Sequence, residues 1–222
     1  MVLDSPPIKE RLLEPGREHN RPGSFITPTA IIVHRTGDVG ATALNIRNWF
    51  NWTPQKVSAQ YVLDRKDLIR CIPEWETAWH AGGVDNNPNW HEGNPNRFAI
   101  GIEVCEDSPY NADTSADHPL PVILTDMMLR WSIPIGRVWR HSDVDPVDKP
   151  NCPGNLIDWP LLMNSVDALV EYYRPLTAPV MHNGKPKWLA FLRKGMSYAY
   201  FPGILRELGH GVEWRDGKVW VA

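Results

Sequence analysis

The chain has 222 residues, 42% of them hydrophobic, enough for one domain of ordinary size with a true core and a small appendage. A net charge of −3 argues against a nucleic-acid binder, no apolar run approaches membrane-spanning length, and Met1 to Arg17 lacks the apolar centre of a secretory signal. Charge is unevenly spread: residues 176–222 hold seven Lys/Arg and three Asp/Glu, a net of +4, and the remainder is net −7, so an acidic body with a basic tail suited to a polyanion is expected.

Residues 1–24, rich in Pro, Glu and Arg and without clear periodicity, predict an extended arm or a loosely packed lead-in. Ala30 to His34 predicts a buried strand, and Thr42 to Trp49 a helix with Thr42 available as its cap. Ser58 to Leu63, the turn Asp64-Arg65-Lys66-Asp67 and Leu68 to Ile72 predict a hairpin. Asp85 to Arg97 is an Asn-, Pro- and Gly-rich loop too polar for a core, of the kind that carries function on a rigid scaffold. Phe98 to Val104 predicts a central strand, Asp107 to His118 a polar loop, and Leu120 to Trp131 a helix with Leu124, Met127, Met128 and Trp131 as its apolar stripe. A short strand, Arg137 to His141, precedes a helix capped by Asp158 that runs to Tyr173 and packs through Leu161, Leu162, Val166, Leu169 and Val170. The expectation is an α/β domain over 25–174, a mixed central sheet flanked by helices, then a linker over 175–183 and a small segment over 184–222. Within that segment Tyr200 to Leu208 reads as helix, and Val212 to Trp214 with Val219 to Val221 as a hairpin.

The chemistry concentrates in one proline-stiffened loop, Arg140 to Gly154, which holds His141, Lys149 and Cys152. With His34 at the end of its strand, this makes two imidazoles and one thiolate. Such borderline-soft donors suit tetrahedral zinc and leave a fourth position for water. A zinc-bound water is acidic near neutral pH and can attack an amide if a base takes its proton and a cation steadies the oxyanion. Glu103, flanked by Ile102 and Val104 in an apolar strand, is the candidate base, because desolvation raises a carboxyl towards the working range; Lys149 is the candidate cation. Asp148 competes with Cys152 as an oxygen ligand, and Asp143 is placed to orient a ligand histidine. Cys71 and Cys105 lie in strand-like runs and read as buried free thiols. The eleven tryptophans read either as stacking surfaces or as semi-buried filler.

His34, Trp79-His80-Ala81-Gly82, Ile100-Gly101-Ile102-Glu103 and His141…Lys149…Cys152-Pro153-Gly154 together resemble the zinc-dependent N-acetylmuramoyl-L-alanine amidases of the phage-endolysin and peptidoglycan-recognition type, over roughly residues 25 to 173. Val147-Asp148 departs from the pattern by lengthening the gap between histidine and cysteine, which bears on the register of Lys149. The resemblance implies hydrolysis of the amide between N-acetylmuramic acid and L-alanine in bacterial peptidoglycan, with Zn2+ on His34, His141 and Cys152, Glu103 as base, Lys149 at the oxyanion, and Trp79 and His80 beside the substrate groove. Within that reading, the lack of a secretory signal at Met1 to Arg17 leads us to expect a protein made in the cytoplasm and acting on the wall after release, as a phage or prophage lysin does. The basic tail is expected to meet anionic wall polymers, in the manner of the small helix-plus-hairpin modules that 184–222 resembles. The competing reading is a non-catalytic peptidoglycan receptor on the same fold, against which Cys152 speaks. A zinc nucleobase deaminase would need His-x-Glu and Pro-Cys-x-x-Cys, whereas here a single cysteine follows Asn151.

Overall fold

The computed structural model describes residues 7–82, 84–108, 111–112, 118–154 and 157–173, and the strands at 177–182, 185–191, 212–215 and 218–221. The chain divides into two units, 1–167 and 168–222.

The first unit is built on a seven-stranded mixed sheet. Its strands are β1 (Ile8–Glu10), β2 (Ala30–Val39), β3 (Tyr61–Leu63), β4 (Leu68–Arg70), β5 (Ala99–Ser108), β6 (Asn111–Ala112) and β7 (Val138–Arg140). They lie in the order β1-β4-β3-β5-β2-β7, with β6 antiparallel beside the end of β5. The centre is parallel: β5 pairs with β2 and β3, and β2 pairs with β7. These strands are covered on both faces, which is why their sequences read as continuous apolar runs rather than alternation.

One face of the sheet carries α1 (Ala43–Trp52). Thr42 and Asn45 cap it reciprocally: the Asn45 N–H donates to the Thr42 hydroxyl at 3.2 Å and the Thr42 N–H donates to the Asn45 side chain at 3.0 Å. Ile46 and Phe50 pack with Val62, Ile69 and Cys105, while Leu44 and Trp49 stay exposed. The other face carries Tyr61, whose hydroxyl donates to Glu74 at 2.9 Å. Glu74 also accepts from Arg130 and Trp131 of α2 (Leu120–Trp131) at 2.8 and 2.7 Å. Burial alone would raise the Glu74 carboxyl, but Arg130, Trp131 and Tyr61 hold it below the usual range. This buried carboxylate is a structural tie that the sequence did not single out.

The expected loose arm is different. Residues 8–10 add a strand parallel to β4, Leu13 is buried, Asn20 reaches the carbonyls of Thr53, Gln55 and Val57, and Arg21 grips Glu76 with two bonds of 2.7 and 2.8 Å. A polar composition concealed this because the arm is held mostly by side-chain hydrogen bonds to backbone. In the last helix, α4 (Trp159–Tyr173), Asp158 accepts from the Leu161 N–H at 2.9 Å as expected. Leu162, Val166 and Val170 are buried, but Leu161 is 62% exposed.

In the second unit the expected linker is partly strand: Thr177–His182 pairs antiparallel with Lys185–Phe191. Val212–Arg215 pairs antiparallel with Lys218–Val221, which is the anticipated hairpin, and the helix expected over 200–208 lies outside the described residues. No helix among the described residues is long and apolar enough to cross a membrane.

The packing of the arm makes a stability prediction. Leu13→Ala removes a buried side chain and should cost about 2–5 kcal/mol in urea unfolding. A cost near zero would show the arm to be detached in solution.

Candidate metal centre and its cleft

The parallel register sets His34 of β2 directly opposite Glu103 of β5, and Val62 of β3 opposite Glu103 on its other side. Residues in register share a face, so His34 and Glu103 both project on the α1 side of the sheet, midway along ten-residue strands and where the apolar half of each gives way to polar residues; β2 runs on to Val39 rather than ending at His34 as expected. His141 arrives from the next strand over: β7 ends at Arg140, and His141 opens the short helix α3 (His141–Val144). Cys152 is held by the turn that follows. Its N–H donates to the Lys149 carbonyl at 3.1 Å, its own carbonyl accepts from the Ser142 N–H at 2.9 Å, and its Sγ accepts from the Arg35 N–H at 3.4 Å. The Cys152–Pro153 peptide is cis.

The candidate ligand atoms of His34, His141 and Cys152 all lie within 4.8 Å of one another, and all three residues are buried. Around a tetrahedral zinc, nitrogen and sulfur donors stand about 3.4–3.7 Å apart, so closing on an ion takes only a small adjustment. The two Nδ1 atoms of His34 and His141 already face each other at 2.9 Å. His141 Nε2 and Glu103 Oε2 are buried and have no hydrogen-bond partner among the described residues, as expected of groups shaped to meet a metal, water or substrate. The donor set therefore fits a zinc-type ion.

Burial sets the electrostatics. It lowers His34 well below its ordinary value, with His141, His80 and Lys149 adding to the effect, and takes His141 to about 3, with His80 and Lys149 pushing the same way. Burial pushes the Cys152 thiol up to about 12. Glu103 is raised to about 8, mainly by burial, with Lys149 and Arg35 opposing and Glu106 reinforcing the rise.

Lys149 is exposed, and its charge is felt by His34, His141, Glu103 and Cys152, so the longer loop still delivers it to the site. Asp148 stands outside the ligand cluster, its carboxylate accepting from Asn86 at 3.1 Å. Asp143 turns to the backbone N–H and guanidinium of Arg140 rather than to a histidine. Trp79 lies on the cleft with Lys56 over its ring at 3.8 Å, and its indole N–H donates to the Glu18 carbonyl at 2.7 Å. His80, expected beside the substrate groove, lines the same cleft, and both its ring nitrogens are engaged within the protein, by His34 at 3.0 Å and by the Ala99 carbonyl at 3.2 Å. Asn96 escaped the sequence reading altogether. It is buried, and its amide accepts from the N–H groups of His80 and Ala81 and donates to the Ala81 carbonyl. Its only signal was its place in the turn-forming Asn94-Pro95-Asn96.

These groups line an open cleft of about 760 Å³ with Trp49, Phe50 and Lys56 on its wall. The arrangement can hold a cation at its floor, transfer a proton beside it and accommodate a ligand much larger than water.

The sequence profile of the N-acetylmuramoyl-L-alanine amidase family matches residues 24–155. The chain is similar to a probable N-acetylmuramoyl-L-alanine amidase of Bacillus licheniformis, 30% identical over 135 residues, 57% of this chain and 38% of that protein. Among solved structures it resembles the catalytic domain of XlyA, with a TM-score of 0.59 and 27% identity, covering 72% of this chain and 99% of that one. It also resembles a mutant endolysin from Bacillus subtilis, with a TM-score of 0.58 and 26% identity, covering 72% and 99%. The chain spans about two fifths of the length of the first curated relatives it matches.

The raised carboxyl of Glu103 has a measurable sign. The metal-free folded protein binds a proton there that the unfolded chain releases near pH 4.5, so stability falls as pH rises from 4.5 to about 8. Glu103→Gln should match the parent near pH 4.5 and exceed it in stability above pH 8, by a few kcal/mol at most. Parallel curves across that range would show that Glu103 is solvated.

Proposed function

The chain belongs to the N-acetylmuramoyl-L-alanine amidase family, and we propose that it is a zinc-dependent peptidoglycan hydrolase that cuts the amide between the lactyl group of N-acetylmuramic acid and L-alanine, of the phage or prophage endolysin kind. The observation that carries this reading is the convergence of two imidazoles and a thiol beside the unpartnered Glu103 oxygen, at the floor of an open cleft.

Zinc held by His34, His141 and Cys152 would supply Lewis acidity towards the amide carbonyl and an acidic water. Glu103 takes the proton from the attacking water and returns it to the departing amine. Its raised pKa suits both directions near neutral pH, and cationic charge at the site acts in the same sense as Lys149 and Arg35, bringing it down from about 8. Lys149 opposes the negative charge that develops on the carbonyl oxygen. Trp79 and the half-exposed Trp49 give the cleft aromatic surface against which sugar or stem peptide can lie. Acting on the wall, the protein uses residues 184–222 as an accessory wall-binding segment drawn to anionic polymers, a reading supported by the basic charge balance of 176–222.

Dye release from labelled walls should be abolished by chelation and restored by zinc, with free stem peptides in the mass spectrum of the digest. Glu103→Ala should lower turnover about 10²- to 10⁴-fold with zinc retained, and Lys149→Ala about 10²- to 10³-fold. Near-normal turnover in zinc-loaded Glu103→Ala would reject the base assignment, and walls bound but never cut would make the protein a receptor. Because the buried thiol must lose its proton, zinc affinity should rise about tenfold per pH unit around neutrality; a flat profile would exclude Cys152 as a ligand.

A further inference from the structure

Gly101 sits in the middle of β5 with no left-handed backbone to explain it. What requires glycine there is space. A Cβ on residue 101 would stand 2.4 Å from Cγ, 2.7 Å from Cδ2 and 2.8 Å from Nδ1 of His80. The sheet is thus hollowed to admit one imidazole against its surface, and the backbone that bears this ring is clamped by three hydrogen bonds with Asn96 at 2.7–3.0 Å, two accepted by its amide oxygen and one donated by its amide nitrogen.

The ring's partners fix where its proton lies. The Ala99 carbonyl can only accept, so the His80 nitrogen facing it at 3.2 Å, Nε2, carries the hydrogen. A buried neutral imidazole has one hydrogen, so Nδ1 is bare. That Nδ1 lies 3.0 Å from Nε2 of His34 and must accept from it. The second hydrogen is therefore on Nε2 of His34, leaving His34 Nδ1 with an unshared pair, and this is the atom facing His141 at 2.9 Å. Each step follows from donors and acceptors alone.

We propose that His80 is a positioning residue: backed by the Ala99 carbonyl and admitted by Gly101, it locks His34 in the tautomer whose bare Nδ1 points into the ligand cluster. In a free imidazole the two tautomers interconvert and the ring rotates, whereas this chain presents the donor atom already bare and aimed. Outer hydrogen-bond partners of ligand histidines commonly contribute ten- to a hundredfold in metal affinity. The part of the inference that concerns affinity rests on the zinc reading above; the part that concerns the tautomer does not.

Long-range proton–nitrogen spectra of the metal-free, histidine-labelled protein at neutral pH distinguish bare from protonated ring nitrogens. His34 and His80 should both carry their hydrogen on Nε2, and a His34 protonated on Nδ1 would overturn the proposal. In His80→Ala the His34 signals should move towards mixed tautomers and zinc affinity, measured against a chromophoric chelator, should fall about ten- to a hundredfold. His80→Asn, whose amide oxygen can replace Nδ1 as acceptor, should restore most of that loss, which a merely space-filling role would not predict. Gly101→Ala, whose added methyl meets the His80 ring first, should reproduce the loss. Unchanged affinity in a folded His80→Ala also overturns the proposal, and if that variant does not fold, the parent spectrum decides. A parent that binds no zinc would fail the zinc reading while leaving the tautomer test intact.

Discussion

The structure depends on the in-register parallel pairing of β2 with β5. Ile32 stands opposite Gly101, Val33 opposite Ile102 and His34 opposite Glu103. Because side chains alternate along a strand, a slip of one residue in β5 would turn Glu103 and Gly101 to the α2 side and bring Ile102 beside His34. The apolar faces forbid that slip. Ile31, Ile100 and Ile102 are fully buried among one set of neighbours, while Ile32, Ala30 and Ala99 are buried among another. Hydrophobic burial thus fixes the relative position of two polar groups that have little means of fixing it themselves.

That same burial leaves the site uncharged but for its rim. His34, His80 and His141 are all held below their ordinary values, while Glu103 and Cys152 are held above theirs. Each shift favours the neutral form, as desolvation must. The bare Nδ1 of His34 and the unpartnered Nε2 of His141, beside a thiol that can ionise, are for the same reason a strong attraction for a dication, whose charge makes good what water no longer supplies. The exposed Lys149 keeps fixed charge at the margin, and the buried Glu106 carboxylate is paired with Arg35.

Much of this was legible in the sequence where one physical signal dominated. The runs Ala30–Val33 and Phe98–Val104 read as central strands because they are covered on both faces, and Leu120–Trp131 read as helix because its stripe is long and regular. His34, His141 and Cys152 could be grouped by ligand chemistry taken together with the family resemblance, which favoured Cys152 over Asp148, and the structure brings the three together. What stayed hidden was tertiary. The arm shows no periodicity because only the three residues of β1 pair as a strand, and beyond them the attachment runs through Leu13, Asn20 and Arg21 one residue at a time. Glu74 and Asn96 went unremarked because nothing local shows which backbone and guanidinium groups will fold over them. His80 was visible as a motif residue, but the direction of its ring nitrogens is set by Ala99 and His34, from two other strands.

The sheet ends on both sides in strands of only three residues, Ile8–Glu10 and Val138–Arg140. At one border Glu10 and Arg70 form an ion pair across the last two strands; at the other, Arg137 and Arg140 bracket β7 with guanidinium groups. A neighbouring copy searching for backbone to zip against meets a stub lined with charge, so strand-on-strand aggregation has little purchase even when many copies accumulate together.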